Sequence, residues 1–323
     1  MPGTLVVGLG HAGTRLHLPV LRALRGREDP PIVVFDPVRS VQPGPDVVAA
    51  RDLPHAAALT DPATCVVHLC TPPTARVEPI TALAGLGFRR FLVEKPLAAD
   101  PAALTELLDL VDLVGLDVVP IAQWRHSELT RRLMGLRAEL GRPLSIAVRQ
   151  AKPRFTRTLA GDDHPSAFDV EAPHSVALAL RLAGPAAVTG AGCADMLLGS
   201  AVFPGLGGAW LSLAHEGGAR TEITTELTAP VRERRVTVEF EGGTAVGHFA
   251  VSAADEFAQL EVTAPGRRSH SVFRDDSLTA FVARAYRHFD GARMLGELTA
   301  GAAVVSLIAE AKRLAGARAG AVR

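Results

Sequence analysis

Lysine is scarce in this chain of 323 residues, which makes Lys95 conspicuous. The chain holds 34 lysine and arginine residues, of which only Lys95, Lys152 and Lys312 are lysines. Lys95 lies between Glu94 and Pro96, and this triplet directly follows the apolar run FLV. A buried ammonium group loses its proton readily, whereas a guanidinium stays protonated. We therefore expect Lys95 to be a general acid–base group, the alternative being a surface charge at the end of a strand.

A second set of candidate groups lies in the segment FDVEAPHSVALALRLAG, which contains Asp169, Glu171 and His174. Pro173 suits the first turn of a helix and Gly184 suits its end, so His174 is predicted near a helix N-terminus. A histidine in this position can act as a general acid or base, oriented by one of the two carboxylates. The alternative is a histidine at a helix cap with solvated acids, and the sequence does not decide which acid would be the partner.

The segment GLGHAG places glycines at 8, 10 and 13, following an apolar strand and opening a helix. Gly8 allows a tight turn, Gly10 lets the backbone approach a pyrophosphate, and Gly13 lets helix and strand pack closely. The free N–H groups at the start of the helix, including those of His11 and Ala12, would face the phosphates. The pattern predicts a dinucleotide site.

An acid follows the second strand at the spacing that this kind of site requires. Asp36 lies 23 residues after Gly13. A carboxylate there accepts hydrogen bonds from the ribose hydroxyls and repels a 2′-phosphate, which favours NAD. Arg39 lies three residues further on and could bind such a phosphate, so NADP is possible as the cofactor.

The elements that must position these residues change in character along the chain. Up to about residue 122, short apolar runs alternate with helical patterns, which predicts a Rossmann-type α/β domain with a parallel sheet. Beyond residue 123, alternating apolar and polar runs punctuated by Gly-Gly and Pro-Gly predict an α+β domain with a large, mainly antiparallel sheet. Two helices, 278–289 and 298–314, close the chain. We divide it into a cofactor-binding domain, 1–122, and a substrate-binding and oligomerisation domain, 123–323.

Composition excludes several classes of partner. The chain is 48% hydrophobic and 21% charged, and its formal net charge is zero. No basic block predicts binding to nucleic acid or to a membrane surface. Cys65, Cys70 and Cys193 form no Cys-x-x-Cys pair, and the histidines and acids lack a metal-ligand spacing, so we expect neither disulfides nor a metal. With no signal-peptide pattern before the first strand, a cytoplasmic location is expected.

The first 125 residues resemble the Gfo/Idh/MocA oxidoreductase family. The likeness is carried by VVGLGHAG with HLP, by FDP, by LCTPP and by VEKPLAADPAALTELL. In that family the E-K-P lysine, here Lys95, lies beside the nicotinamide and the substrate hydroxyl or carbonyl; Glu94 matches the acid. The resemblance also implies that Thr71 and Pro72 border the cofactor. Arg76 stands where the family often has a histidine, and it has no assigned role.

The resemblance is looser in the rest of the chain. In AQWRHSE, Arg125 matches a family arginine near the substrate, and Trp124 is either its neighbour or a core residue. Family members often show Asp-x-x-x-His, whereas the spacing from Asp169 to His174 is one residue longer. Either Asp169 is displaced or Glu171 takes its role.

Other polar residues are assigned to packing or to the surface. His17 and Tyr286, the only tyrosine, are expected to pack in the core. A further polar loop, GDDHPSAF, is predicted at the surface; it contains Asp162, Asp163 and His164.

The resemblance implies an enzyme that transfers a hydride between NAD or NADP and a sugar, nucleotide sugar or cyclitol. Lys95 and His174 would handle the hydroxyl proton. The other face of the second sheet would support a homodimer or a larger homo-oligomer. The alternatives are an imine reductase of secondary metabolism, an NAD-retaining glycosidase or lyase, and a non-catalytic cofactor-binding module.

Overall fold

A computed structural model describes residues 1–39, 44–161, 165–252 and 255–321. The chain forms two compact units. The first comprises 1–122 together with 278–305, and the second comprises 123–277 together with 306–323. Residues 278–305 thus belong to the first unit, whereas the division drawn from the sequence placed them in the second domain. The segment is distant in sequence from the rest of its unit, and no pattern in the sequence reveals such a packing.

The first unit alternates strands and helices. Its strands are β1 (Thr4–Val7), β2 (Ile32–Phe35), β3 (Val47–Ala49), β4 (Val66–Leu69), β5 (Arg90–Val93) and β6 (Asp117–Pro120). Its helices are α1 (Leu18–Leu24), α2 (Leu53–Ala58), α3 (Val77–Gly85), α4 (Pro101–Val114), most of α10 (Ser277–Phe289) and the first part of α11 (Glu297–Ala321). Asp52 and Asp100 accept hydrogen bonds from the first turns of α2 and α4, which fixes where these helices begin.

All strand pairs of the first sheet are parallel, in the order β3-β2-β1-β4-β5-β6. This confirms the predicted Rossmann-type sheet. The order reverses between β1 and β4, and ligands in such sheets bind beyond the carboxyl ends of the strands at that point. The residues that follow β1, β4 and β5 therefore share one edge of the sheet.

Successive residues of the strands enter two cores, one on each face of the first sheet. Leu5, Val67 and Phe91 face α3 and α4, whereas Val6 and Leu92 face α1 and α10. Strands buried on both faces become continuous apolar runs, which explains why they were recognisable in the sequence.

The first helix is wound unusually. Residues Gly13–His17 form a π-helical turn, and regular α-helix continues from Leu18 to Leu24. The α-helix therefore has Pro19 in its first turn, directly after the π-helical turn. The proline ring lacks a backbone donor and crowds the carbonyl four residues earlier, and the wider turn before it accommodates both effects.

The second unit is built on a larger sheet. Its strands are β7 (Pro143–Pro153), β8 (Ala186–Leu198), β9 (Ala201–His215), β10 (Arg220–Glu226), β11 (Thr228–Phe240), β12 (Gly243–His248), β13 (Phe257–Ala264) and β14 (Arg267–Arg274). Its helices are α5 (Glu128–Gly135), α6 (Arg137–Leu140), α7 (Phe155–Leu159), α8 (Ala167–Val170), α9 (Ala172–Ala183) and the last part of α11.

The second sheet is mainly antiparallel, as predicted, in the order β14-β13-β12-β11-β7-β10-β9-β8. Within the second sheet, only β7 and β10 pair in parallel among the described strands. The β7 strand therefore lies at the centre of the sheet between two strands that come much later in the chain. None of the helices that the structure describes is long and apolar enough to cross a membrane.

Candidate functional site

The glycine turn after β1 is closely packed at two of its three glycines. Gly8 has a φ of +96°, and a Cβ added there would lie 2.8 Å from the carbonyl carbon of Cys70. A Cβ on Gly13 would lie 2.1 Å from the carbonyl oxygen of Gly8. A Cβ on Gly10 would meet only the end of the Arg39 side chain, at 3.0 Å. No backbone atom outside the turn therefore crowds Gly10, which fits the predicted close approach of a pyrophosphate to its backbone.

Asp36 ties this turn to the end of β2. One carboxylate oxygen accepts a hydrogen bond from Leu9 N at 2.6 Å, and the other accepts from the backbone N–H groups of Val38 and Arg39, both at 2.9 Å. Burial alone would raise the pKa of Asp36, but these hydrogen bonds and the charge of Arg39 lower it. The carboxylate is thus held as an anion, with an exposed guanidinium close by.

Arg76 joins the segments that follow β4 and β5. Its guanidinium donates to the carbonyl oxygen of Thr71 through Nε and Nη2, both at 3.2 Å, and to that of Lys95 at 3.4 Å. Burial lowers the pKa of Arg76 to about 10, with the carboxylate of Glu94 opposing the shift. Arg76, which had no assigned role, therefore links the predicted cofactor-binding segment at Thr71 to the predicted catalytic segment at Lys95.

Two polar atoms in this region are buried and have no hydrogen-bond partner among the described residues, namely Thr71 Oγ1 and Arg76 Nη1. Leaving such groups unsatisfied costs about 1–3 kcal/mol each, so they call for a partner outside the chain. Together with the open backbone at Gly10, these atoms fit a polar ligand such as a dinucleotide along the edge of the first sheet.

Glu94 and Lys95 follow β5 at the same edge. Glu94 is buried, and its Oε2 accepts a hydrogen bond from Lys95 N at 3.0 Å. Burial alone would raise the pKa of Glu94, but His17, Lys95 and Arg76 lower it to about 2. The Lys95 side chain is half-buried, and the Lys95–Pro96 peptide bond is cis. The predicted acid–base lysine is therefore placed beside a carboxylate that stays ionised.

The carboxylate of Glu94 is also the first member of a series of side-chain contacts that extends into the core of the first unit. Its Oε1 contacts His17 Nε2 at 3.0 Å, His17 Nδ1 contacts His68 Nδ1 at 2.7 Å, and His68 Nε2 contacts Tyr286 Oη at 2.9 Å. We expected His17 and Tyr286 to be packing residues of the core. Both are buried, and both also form side-chain hydrogen bonds. His68 was not recognised, although a histidine inside the apolar strand VVHL was a signal that could have found it.

In the second unit, the two predicted carboxylates pair with the other two lysines. Asp169 accepts from Lys312 Nζ at 2.5 Å and from Ser166 Oγ at 2.8 Å. Glu171 accepts from Lys152 Nζ. The scarcity of lysine that singled out Lys95 would have identified both of these residues as well. The question of which acid orients His174 stays open, because each has a lysine partner.

His174 lies in the first turn of α9, which carries Pro173 near its start and ends at Gly184. Its ring is half-buried and lies 5.6 Å, centroid to centroid, from the ring of Trp124. The Trp124 ring stacks on Phe249 at 4.1 Å. Trp124 is thus largely a core residue that also contacts the predicted catalytic histidine.

Further polar residues surround the start of α9. Arg125 Nη1 donates to the carbonyl oxygen of Ala177 at 3.3 Å. Gln150 Nε2 donates to the carbonyl oxygen of Glu171 at 3.1 Å and to Ser175 Oγ at 2.8 Å, which fixes the backbone next to the acid. No sequence pattern singles out Gln150. The loop residues Asp162, Asp163 and His164 lie outside the described residues.

Two shallow cavities lie on the second sheet, with volumes of about 310 and 440 Å³. Both are lined by Trp210, and neither is lined by a predicted catalytic residue. Within the described ranges, no group of three or more His, Cys, Asp and Glu side chains is arranged to hold a metal ion. The candidate catalytic residues therefore lie at the edge of the first sheet and at the start of α9, away from both cavities.

The fold is shared with solved oxidoreductases. A UDP-N-acetylglucosamine 3-dehydrogenase from Acidithiobacillus ferrooxidans has a TM-score of 0.75 at 17% identity, over 98% of this chain and 97% of its own. A mutant 3-ketoreductase from Actinomadura kijaniata, solved with TDP-benzene and NADP, has a TM-score of 0.76 at 16% identity, over 97% and 98%. An NAD-binding oxidoreductase from Klebsiella pneumoniae has a TM-score of 0.75 at 14% identity, over 98% and 97%.

No family profile matches the chain, and no curated protein matches it by sequence. At the identities above, the solved structures establish the fold. The chain has the fold of a class of NAD(P)-binding oxidoreductases, with a six-stranded parallel sheet and an eight-stranded, mainly antiparallel one.

Proposed function

We propose that this chain is an NAD(P)-dependent oxidoreductase of the Gfo/Idh/MocA type that acts on a hydroxyl or carbonyl group of a nucleotide sugar. The observation that carries the proposal is the placement of Lys95 beside the ionised Glu94, at the sheet edge that also holds the open glycine turn. Two solved proteins with this fold are described as acting on, or binding, nucleotide derivatives, which supports this substrate class.

The glycine turn and Asp36 would hold the dinucleotide, and Thr71 Oγ1 and Arg76 Nη1 would be satisfied by its polar groups. When bound, the nicotinamide supplies hydride transfer to or from a substrate carbon. Lys95 would move the proton on the substrate oxygen, because an amine can both give and take it. Its backbone is held from two sides, since Glu94 accepts from its N–H and Arg76 donates to its carbonyl.

His174 is the proposed second proton-handling group, located at the start of α9. Its position is fixed by the helix and by the ring of Trp124. Asp169 or Glu171 would stabilise the charge that the imidazole acquires, although both carboxylates already pair with lysines. His174 would therefore take part in proton transfer, and substitution of each acid in turn would identify its partner.

NAD is the proposed cofactor, with NADP as the alternative. The ionised Asp36 would repel a 2′-phosphate, whereas the guanidinium of Arg39, near Gly10, would attract one. Asp36 also forms three backbone hydrogen bonds, so it is fixed in place before any ligand binds. A fixed anion at this position favours NAD.

We also infer that the chain forms a homodimer through the exposed face of the second sheet. Trp210 is 37% exposed on this face and lies beside both shallow cavities. Ion pairs such as Arg149–Glu233, at 2.7 Å, cross the strands around it. A large aromatic residue rimmed by charged pairs is typical of protein–protein interfaces.

The test is a screen of nucleoside-diphosphate sugars, free sugars and cyclitols against NAD, NADP and their reduced forms. The readout is the absorbance of the reduced nicotinamide. We expect net cofactor turnover with a nucleotide sugar. Turnover only with imines would instead favour an imine reductase. Product formation without net change in the cofactor would favour an NAD-retaining glycosidase or lyase. Binding of the cofactor with no turnover of any substrate would leave a non-catalytic module.

A further inference from the structure

Four buried side chains of the first unit form a continuous hydrogen-bonded series, which we call the buried polar chain: Glu94, His17, His68 and Tyr286. Each of the four is less than 10% exposed. They come from four different places, namely the end of β5, the π-helical turn, β4 and α10. The series runs through the apolar core between the first sheet and α10 and ends next to the peptide group of Lys95.

The distances restrict where the protons can lie. An ionised Glu94 needs a donor, so His17 Nε2 must carry a proton. The contact between the two Nδ1 atoms, at 2.7 Å, then requires one donor and one acceptor. If His17 donates there, it is an imidazolium, and the neutral His68 donates from Nε2 to Tyr286. If His68 donates, His17 is neutral, and Tyr286 must donate to His68.

The surrounding charges favour the first arrangement. Burial alone would lower the pKa of His17, but Cys70 and Glu94 raise it to about 10. Burial and the charge of His17 lower the pKa of His68 well below its usual range. The directions of these shifts favour the arrangement in which His17 is the imidazolium and His68 is neutral.

The far end of the series can satisfy this arrangement. Tyr286 Oη lies 2.6 Å from Thr4 Oγ1 and can donate to it. Arg25 Nη1 also donates to Thr4 Oγ1, at 2.8 Å. Thr4 then directs its own proton toward the carbonyl oxygen of Pro2, at 3.4 Å. Every proton in the series consequently has an acceptor when His17 is charged.

We propose that His17 is a positioning residue: held by His68 and Tyr286, it binds the ionised Glu94 carboxylate behind the Glu94–Lys95–Pro96 turn, offsets part of its negative charge and thereby sets the protonation of Lys95. This inference rests on the proposed role of Lys95 as the acid–base group. The carboxylate acts on Lys95 in two ways, through the hydrogen bond from its backbone N–H and through its charge.

Other charged or titratable groups also face this series. Cys70 lies near His17, and Arg76 and Lys95 act on Glu94. Arg25 acts on His68 and Tyr286. None of these groups replaces the hydrogen bond from His17 to Glu94. With His17 charged, the pair with Glu94 is neutral, so Lys95 faces a weaker negative field than Glu94 alone would produce.

The presence of only three lysines makes a direct test possible. Protein labelled with ¹³C in lysine gives three side-chain signals, which Lys152→Arg and Lys312→Arg assign. The pH titration of Lys95 is then followed in wild type, His17→Gln and Glu94→Gln, without cofactor or substrate. Lys152 and Lys312 serve as internal references, and His270→Gln, at an exposed strand position, is the control variant.

The two variants should shift Lys95 in opposite directions. His17→Gln keeps a donor for Glu94 but removes the positive charge, so the titration midpoint of Lys95 should rise. Glu94→Gln removes the negative charge, so the midpoint should fall. Each shift should be on the order of one pH unit, while the other two lysines and the control variant stay unchanged. Equal midpoints in all proteins, or shifts in the same direction, would overturn the proposal.

A second measurement needs no core variant and so does not depend on one folding. In wild-type protein labelled with ¹⁵N in histidine, the His17 ring should show two protonated nitrogens near neutral pH. The His68 ring should show a single protonated nitrogen. A neutral His17 ring would overturn the proposal. Because neither experiment measures turnover, a protein that shows both results but neither oxidises nor reduces any nucleotide sugar would contradict the proposed function and leave this inference standing.

Discussion

At the scale of single residues, the account depends first on the chemical difference between lysine and arginine at position 95. Lys95→Ala removes the acid–base group, and Lys95→Arg keeps the charge but not the ability to release a proton. We expect both variants to lower kcat about 100-fold or more, since general acid–base catalysis contributes roughly 10²–10⁴. Initial rates with the substrate found in the screen measure this effect.

Two controls accompany this measurement. The exposed Arg131 is replaced by glutamine to show that losing a cation elsewhere has no effect. Cofactor affinity, followed by the fluorescence of the reduced nicotinamide, should change little in the Lys95 variants. A Lys95→Arg enzyme with nearly full kcat would show that no proton passes through this side chain.

Cofactor choice is also decided by single residues. Asp36→Asn keeps the shape of the side chain but removes the negative charge that opposes a 2′-phosphate. We therefore predict that Asp36→Asn strengthens NADP binding relative to NAD and that Arg39→Gln has the opposite effect. Thermal-shift titrations with both cofactors measure the ratio. An unchanged ratio of NADP to NAD affinity in both variants would mean that other residues recognise the 2′-position of the ribose.

At the scale of elements, the glycine turn gives a prediction about stability. In Gly8→Ala the new Cβ would meet the backbone of Cys70 at a positive φ. We expect the free energy of unfolding to fall by about 2 kcal/mol, from backbone strain and the close contact. Gly85→Ala is the matched control, because nothing lies within 4 Å of its Cβ, and it should change stability by no more than ~1 kcal/mol. Equal effects of the two substitutions in denaturant titrations would contradict the packing described for the turn.

The buried polar chain gives a prediction about pH. The folded pKa of Glu94, about 2, lies below the ordinary 4.5, so its ionised form stabilises the fold above pH 4.5, and this contribution is lost as the pH falls through 2. The folded pKa of His17, about 10, lies above the ordinary 6.5, so its contribution is complete below pH 6.5 and is lost as the pH rises through 10.

Denaturant titrations across this pH range test both signs. The destabilisation caused by Glu94→Gln should shrink as the pH falls below 4.5, and that caused by His17→Gln should shrink as the pH rises above 6.5. The exposed His270→Gln should show neither trend. Destabilisation that is constant with pH in both core variants would show that the two side chains contribute packing alone.

Local patterns predicted most of the elements, and long-range contacts explain what they missed. The apolar strands, the glycine turn and Asp36 are local features, so they were visible in the sequence. The short β3 has too few residues for a pattern. The pairing of β7 with β10 and the hydrogen bonds from His17 to His68 and Tyr286 join residues far apart in the chain. No spacing rule reveals such contacts.

At the scale of the whole molecule, we predict a homodimer that depends on the exposed face of the second sheet. Trp210→Asp places a charge beside the two shallow cavities on that face and should shift the protein toward monomer. Leu113→Asp is the control, because Leu113 is an exposed apolar residue of α4 in the first unit. Light scattering over a range of concentrations measures the mass. A monomeric wild type, or a dimer unaffected by Trp210→Asp, would contradict the assignment.

The assignment of cofactor binding to residues 1–122 and of substrate binding and oligomerisation to residues 123–323 remains a prediction. The first compact unit includes 278–305, so the buried polar chain, which ends next to Lys95, includes Tyr286 of α10. A protein truncated after residue 122 would lack Tyr286. Both proposed roles, cofactor binding and proton transfer, should therefore be measured on the full chain.

The most direct test of the central claim is a crystal structure of the wild-type protein with NADH. The account predicts that the pyrophosphate lies against the Gly8–Gly13 turn and that the nicotinamide ring lies within contact distance of the Lys95 amine. A dinucleotide bound elsewhere, or a Lys95 side chain directed into solvent away from the ring, would contradict it.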